Sequence, residues 1–208
     1  MKRVQTSTCT TDRLLLALAL LLVACAVSRA DAVPLPFDYE GDSLPQPPWS
    51  EAEASYQGSQ TVSNGILTLA KTWSGEPSVA YRVNNLDFTS ATGVTVDLRV
   101  KVASGNQTPF RFNVQDENLY FVFLLIWPDQ IRRHRQNNNT PEEVDYADFT
   151  QWQTLRIEFQ SRHLRVYLAD EVDPIMDTEI NYRYIGANPR SLTFGIPAGA
   201  GVGLTGGP

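Results

Sequence analysis

Three carboxylates crowd one short run, Glu143-Val144-Asp145-Tyr146-Ala147-Asp148. In a strand, Glu143 and Asp145 share a face because side chains alternate with period two, and a bulge would bring Asp148 round to join them. A nucleophile and an acid about 5 Å apart can flank a glycosidic bond, with Glu143 as the nucleophile and Asp148 as the acid. The same residues also read as an acidic, solvated loop, since Pro141 stands just before them and Asn137-Asn138-Asn139 marks a turn. The loop is the simpler reading, because short motifs match by chance.

A second constellation could bind without cutting. A sugar ring stacks its apolar side on an exposed aromatic face and turns its hydroxyls to polar neighbours; Trp73, Tyr120 and Trp127 are the candidates for such a platform. Each also suits a packed interior, where aromatic side chains bury large areas. Arg132-Arg133-His134-Arg135 follows Trp127-Pro128-Asp129, so Arg132, Arg133 and Arg135 could grip an acidic sugar through bidentate contacts. The alternative is a solvent-facing strand that balances an acidic protein. His134 and His163 are the only histidines and have no cysteine or helical His partner, which argues against zinc. No G-x-S-x-G, P-loop or dinucleotide fingerprint occurs. Asn106-Gln107-Thr108 and Asn138-Asn139-Thr140 are glycosylation sequons, relevant in a eukaryotic host.

The elements that would hold these residues begin behind a leader. Lys2, Arg3 and Arg13 precede an apolar run from Leu14 to Val27, and small residues follow at Ser28, Ala30 and Ala32. That order predicts a signal peptide over residues 1–30, or to 32 by the alternative cleavage. The run is shorter than the ~20 apolar residues a membrane span needs, so no transmembrane span is expected in the mature chain. Leu22-Val23-Ala24-Cys25 offers a second reading, a lipobox that would anchor the protein through lipidated Cys25. Without residues 1–30 the chain has 13 basic and 22 acidic side chains, a net charge of −9. Such a balance excludes nucleic acid as the natural partner, because binding it relies on neutralising phosphates. Both cysteines, Cys9 and Cys25, lie in the leader, so residues 33–195 must fold around one core without a disulfide.

Within that span Val94, Val96, Leu98, Val100 and Val102 alternate with Thr95, Asp97, Arg99 and Lys101, the pattern of a strand with one dry face. Further strands are predicted at Ser78–Val83, Pro109–Gln115, Asn118–Trp127, Gln130–Gln136, Gln153–Gln160, Leu164–Ala169 and Leu192–Gly195, with Asn64-Gly65 turning the chain into Ile66, Leu67 and Leu69. Phe121 to Trp127 is apolar on both parities and should be a central strand buried on both faces. The proline-rich start, from Val33 to Trp49, suits a short edge strand and a loop.

The order of these elements resembles the concanavalin A-like, laminin-G-like jelly roll of exported proteins. The carriers are Phe37-Asp38-Tyr39-Glu40-Gly41 with Trp49, Asn64-Gly65-Ile66-Leu67, Gln151-Trp152-Gln153-Thr154-Leu155-Arg156-Ile157, Leu164-Arg165-Val166-Tyr167-Leu168 and Leu192-Thr193-Phe194-Gly195. The resemblance implies an all-β, two-sheet antiparallel jelly-roll sandwich with Trp49 and Trp152 in its core. It also implies a place for one structural calcium ion, for which Asp38, Glu40 and Asp42 are the visible ligands; ordinary surface charge is the alternative, as calcium takes six to eight oxygens. The run from Glu143 to Asp148 resembles the E-x-D-x-x-E signature of glucanases on this fold, with Asp in place of the last Glu. Members of the class end on a further apolar strand, whereas residues 196–208 hold five glycines and two prolines. That strand is therefore expected to be missing and the tail disordered. Taken together these features predict a secreted or extracytoplasmic, non-catalytic, lectin-like module that binds extracellular polysaccharide or glycoconjugate. A structural or protein-interaction domain that meets a surface protein is the alternative, and a glucanase-like hydrolase the third reading.

Overall fold

A computed structural model of the chain describes residues 39–52, 59–70, 79–103, 109–134, 143–169, 171–185 and 189–196. Residues 1–38, with Cys25 and Asp38 among them, the residues from 197 on, Trp73 and Arg135 lie outside the described residues. No helix occurs among them, and none is long and apolar enough to cross a membrane.

The strands are β1 (Ser50–Glu51), β2 (Ser59–Ser63), β3 (Ile66–Ala70), β4 (Val79–Val83), β5 (Val94–Val100), β6 (Phe110–Gln115), β7 (Phe121–Ile126), β8 (Gln130–Arg133), β9 (Glu143–Tyr146), β10 (Gln153–Gln160), β11 (His163–Leu168), β12 (Met176–Glu179) and β13 (Ser191–Ile196). Every pairing is antiparallel. One sheet has seven strands in the order β1-β4-β13-β6-β7-β8-β9, a second has four in the order β12-β11-β10-β5, and β2 and β3 form a hairpin of their own. Asn64 and Gly65 both take positive φ, 54° and 70°, as the two-residue turn of that hairpin requires.

The period-two pattern explains the layers. On β10 the buried residues are Leu155, Ile157 and Phe159, and on β6 Phe112 and Val114, each separated by a more exposed neighbour or one turned to the other side. These two sets meet in one core with Val122, Leu124 and Ile126 of β7, Ile131 of β8, Leu192 of β13, and Leu164 and Val166 of β11. The protein is thus an all-β sandwich whose two sheets close face to face. At about 25 cal/mol per Å², each large apolar side chain in that layer contributes roughly 1.5–3 kcal/mol on burial.

Strand β7 is buried on both faces as its sequence suggests: Val122, Leu124 and Ile126 join the core between the sheets, while Phe121, Phe123 and Leu125 form a second cluster on the far side, under Tyr182, Tyr184 and Trp127. It is fifth in its sheet, between β6 and β8. Segment 182–184 joins it from outside, with the Phe121 amide donating to the Tyr182 carbonyl (3.2 Å) and the Tyr184 amide to the Leu119 carbonyl (2.9 Å).

The N-terminal region departs from expectation. Residues 41–44 are bends, and the edge strand is Ser50–Glu51, which pairs with β4. Tyr39 and Trp49 instead pack on Phe194, with ring centroids 6.1 and 4.9 Å away. Trp152 is not a core residue: it is 42% exposed, with the Arg99 guanidinium 5.3 Å from its ring centre. The strand that carries Phe194-Gly195 lies inside the seven-stranded sheet, paired on both sides with β4 and β6, so no open edge arises beside it.

Candidate functional site

Register assigns every residue of the seven-stranded sheet to one of two faces, because directly opposed residues share a face and neighbours along a strand do not. The inner rows run Phe194, Phe112, Leu124, Arg133, Glu143 and Phe110, Ile126, Ile131, Asp145. The outer rows run Arg82, Thr193, Asn113, Phe123 and Ala80, Gly195, Arg111, Leu125, Arg132, Val144. A third outer row holds Ser191, Gln115 and Phe121.

The outer face combines polar and aromatic groups in an arrangement a sheet rarely buries. Gln115 is fully buried, and Thr193, Ser191 and His134 are 3–6% exposed. The Gln115 amide nitrogen donates to the carbonyls of Tyr184 (2.6 Å) and Leu119 (3.3 Å). Its oxygen Oε1, Oδ1 of Asn113 and the indole Nε1 of Trp127 are all shielded from water and have no hydrogen-bond partner. Each such atom costs about 1–3 kcal/mol, which makes the cluster an exception that calls for a reason. Arg82 Nε donates to Thr193 Oγ1 at 3.1 Å, and Arg132 Nε to Gln130 Oε1 at 2.9 Å.

Strand β13 sets the relief of this face. Its outward residues, Ser191, Thr193 and Gly195, are all small and all buried. Gly195 has φ 144°, and a Cβ there would lie 2.2 Å from the Val79 carbonyl oxygen, so only glycine fits.

The sequence candidates divide by parity. Trp127 and Arg132 come together on the outer face, the guanidinium 5.0 Å from the indole centre. Arg133 points to the inner side and pairs with Glu143 at 3.2 Å. Tyr120 also lies inward, at the end of the sandwich, between the guanidinium groups of Arg162 (5.0 Å) and Arg183 (5.6 Å). It lines an open groove of about 510 Å³ with Ser90, Glu117 and Asn118.

The three carboxylates take separate positions. Glu143 and Asp145 do share a face of β9, the inner one at the sheet edge. Burial, and after it the charge of Glu143, pushes the Asp145 carboxyl above its ordinary value. Asp148 lies beyond the strand, where its Oδ1 accepts hydrogen bonds from the Thr150 amide (2.8 Å) and hydroxyl (2.5 Å); these hold it below the usual carboxylate value. Glu40 and Asp42 are exposed, and among the described residues no group of three or more His, Cys, Asp or Glu could hold a metal ion.

Sequence reasoning missed Tyr146, Asn113 and Gln115. Tyr146 is 78% exposed on the outer side of β9 and lines a groove of about 420 Å³ with Pro128, Asp129 and Asp148. The signal was its parity, opposite to that of Glu143 and Asp145. Asn113 and Gln115 alternate with Phe112 and Val114, so their shared face was readable, though not their burial.

No family model matches the sequence, and a search of curated proteins finds no match. Among solved structures the chain is similar to apo Crh5 transglycosylase, with 12% identity and a TM-score of 0.55 over 77% of this chain and 68% of that one. It is similar to Crh5 transglycosylase in complex with NAG at 11% identity and a TM-score of 0.53, over 72% of this chain and 63% of that one, less than two thirds of its length. A carbohydrate esterase from the Shiga toxin-encoding bacteriophage phi24B aligns at 13% identity with a TM-score of 0.48, over 71% of this chain and 81% of that one. At these identities the two transglycosylase structures show a shared fold and nothing of activity.

Proposed function

We propose that this chain is an exported carbohydrate-binding module of the concanavalin A-like, laminin-G-like class, which holds extracellular glycan on the outer face of its seven-stranded sheet without cleaving it. The observation that carries this reading is the set of unpartnered polar atoms on that face, Asn113 Oδ1, Gln115 Oε1 and Trp127 Nε1. Two are acceptors and one is a donor, so the ligand must both donate and accept; sugar hydroxyls do both. A glycan that displaces what lies over these atoms replaces an energetic defect with hydrogen bonds. The described strand residues of this face offer guanidinium, amide and hydroxyl groups but no carboxylate, so they supply contacts rather than an acid and nucleophile pair. The names of the solved structures with the same fold support a carbohydrate ligand in the coarser sense only.

The test is a glycan array probed with the purified, folded protein, with calcium and with chelator, alongside Asn113→Ala and Trp127→Phe. Selective binding that weakens about tenfold in each variant is the expected result, given what a buried hydrogen bond contributes. Loss of binding with chelator would assign a calcium role to Asp38, Glu40 and Asp42. A folded protein that binds no glycan, or binds equally well after both substitutions, overturns the reading.

A further inference from the structure

Strand β9 closes one edge of the seven-stranded sheet, and Tyr146 at its end faces outward, opposite Gln130 of β8. Tyr146 is 78% exposed, so its ring and hydroxyl are open to a ligand, whereas Thr193, Phe121 and Phe123 further in are buried. With Pro128, Asp129, Ala147, Asp148 and Thr150 it lines a groove of about 420 Å³. From this groove we infer a second sugar site, at the rim of the sheet, which takes a sugar bearing a free amine. The inference rests on the glycan-binding reading above and names a ligand class for a surface outside the one that reading uses.

The walls of the groove are fixed before any ligand arrives. The Ala147 amide donates to the Asp129 carbonyl (3.1 Å) and the Phe149 amide to the Pro128 carbonyl (2.8 Å), which ties the turn after β7 to the segment after β9. Phe149 is fully buried and anchors that segment in the core. Gln153 Nε2 donates to the Asp148 carbonyl at 2.9 Å, and the Asp148 carboxylate accepts the Thr150 amide and hydroxyl through Oδ1 alone. Asp129 is held in the same way, with Gln130 Nε2 donating to its Oδ1 at 3.0 Å. The second oxygen of each carboxylate has no partner among the described residues.

Charge decides the ligand. Two carboxylates and no cation line the groove, and the hydrogen bonds from Thr150 hold Asp148 below the usual carboxylate value. Arg132 lies on the same face of β8, but its guanidinium rests 5.0 Å from the Trp127 ring centre and its Nε donates to Gln130 Oε1 at 2.9 Å. Arg132 therefore orients Gln130 and, through it, Asp129. An acidic sugar entering the groove meets like charge, and a neutral one gains hydroxyl contacts only. An ammonium gains charge-assisted hydrogen bonds from the free carboxylate oxygens and is attracted to the face of Tyr146. The same ring gives the apolar side of the sugar a surface to lie on.

Affinity of the purified protein is measured for chitosan oligosaccharides, which carry the amine, for the same oligosaccharides after N-acetylation, for cello-oligosaccharides, which carry a hydroxyl in its place, and for oligolysine. Chitosan is expected to bind tightest, about tenfold above either neutral sugar, and to weaken with added salt. Tyr146→Ala and Asp148→Asn should each weaken it about tenfold, as loss of a charged hydrogen bond does. Tyr146→Phe, which keeps the ring, should retain most of the affinity, and Asp97→Asn on the four-stranded sheet should leave it unchanged. Circular dichroism and urea midpoints establish that each variant is folded. Neutral sugars bound as tightly as chitosan overturn the amine requirement while the glycan reading stands. Chitosan binding that survives both Tyr146→Ala and Asp148→Asn overturns the site, and oligolysine bound as tightly overturns the ligand class. A protein that binds glycan on the array but no chitosan overturns this inference alone, and a folded protein that binds no glycan overturns both readings.

Discussion

On the far side of the four-stranded sheet, Glu158, Arg165 and Asp177 stand directly opposite one another across three strands, and Asp97, Arg156 and Tyr167 form the next row. Arg165 and Asp177 are 3.5 Å apart, each a little under half exposed, and the Arg156 guanidinium lies 4.8 Å from the Tyr167 ring centre. On the far side of the seven-stranded sheet, Gln115, Thr193, Phe123 and Leu125 are all below 5% exposed, and polar atoms lack partners. Both sheets give one face to the same core. Alternating charge on the first largely balances itself in water, with Arg156 Nε alone among these groups lacking a hydrogen bond, whereas the second leaves two acceptors and an indole donor unpaired.

The largest test of this contrast is at Gly195. Gly195→Ala places a Cβ 2.2 Å from the Val79 oxygen and 2.5 Å from Ala80 Cα, so it should cost roughly 3–6 kcal/mol by strain and overpacking. A urea midpoint within error of the parent would mean that β13 and β4 do not lie as described. Next in size, Phe123→Ala on the outer face of the seven-stranded sheet should destabilise by about 3–5 kcal/mol, although its side chain points away from the main core. The matched substitution on the other sheet, Arg165→Ala, should stay within about 0.5 kcal/mol, as exposed ion pairs contribute little. Equal effects in urea denaturation would erase the distinction between the two faces.

Acid titration sharpens the comparison, since one carboxylate from each sheet shifts in an opposite sense. Asp145 is held above its ordinary value by burial first and Glu143 second. The folded state therefore binds its proton more tightly than the unfolded chain, and ionisation opposes folding. Asp145→Asn should raise stability at pH 7, with a gain that fades as the pH falls through the raised value and vanishes below the ordinary carboxylate range. Asp177 is held low by a hydrogen bond from His163 first, aided by the charges of His163 and Arg165. Its contribution is present above the ordinary carboxylate value and is lost as the pH falls through the lowered one. Urea midpoints of the parent, Asp145→Asn and Asp177→Asn between pH 7 and pH 3 test both signs; parallel curves would contradict them.

Strands with a strong apolar period, such as β5, β7 and β10, were legible in the sequence because one face must be dry. The strands not predicted, Ser50–Glu51, Ser59–Ser63 and Met176–Glu179, and Glu143–Tyr146, where a solvated loop was the simpler reading, all lie at sheet edges. Their sequences carry little β-propensity, and pairing with a neighbour, not local preference, makes them strands. Trp152 misled for a related reason: an aromatic next to an apolar strand looks like core, yet here it lies just before the strand, at its exposed end beside Arg99. Parity alone could have separated Arg132 from Arg133, and Trp127 from Tyr120, since an odd step along a strand changes face. What no pattern could supply was the sheet order, which places arginines from three distant segments on alternate strands of a single face.

The most direct test of the binding face is an amide hydrogen-exchange footprint of the protein with and without a saturating concentration of a glycan selected on the array. The account predicts added protection in β4, β13, β6 and β8 and none in β10, β11 or β12. Protection confined to the four-stranded sheet, or to the groove around Tyr120, would contradict it.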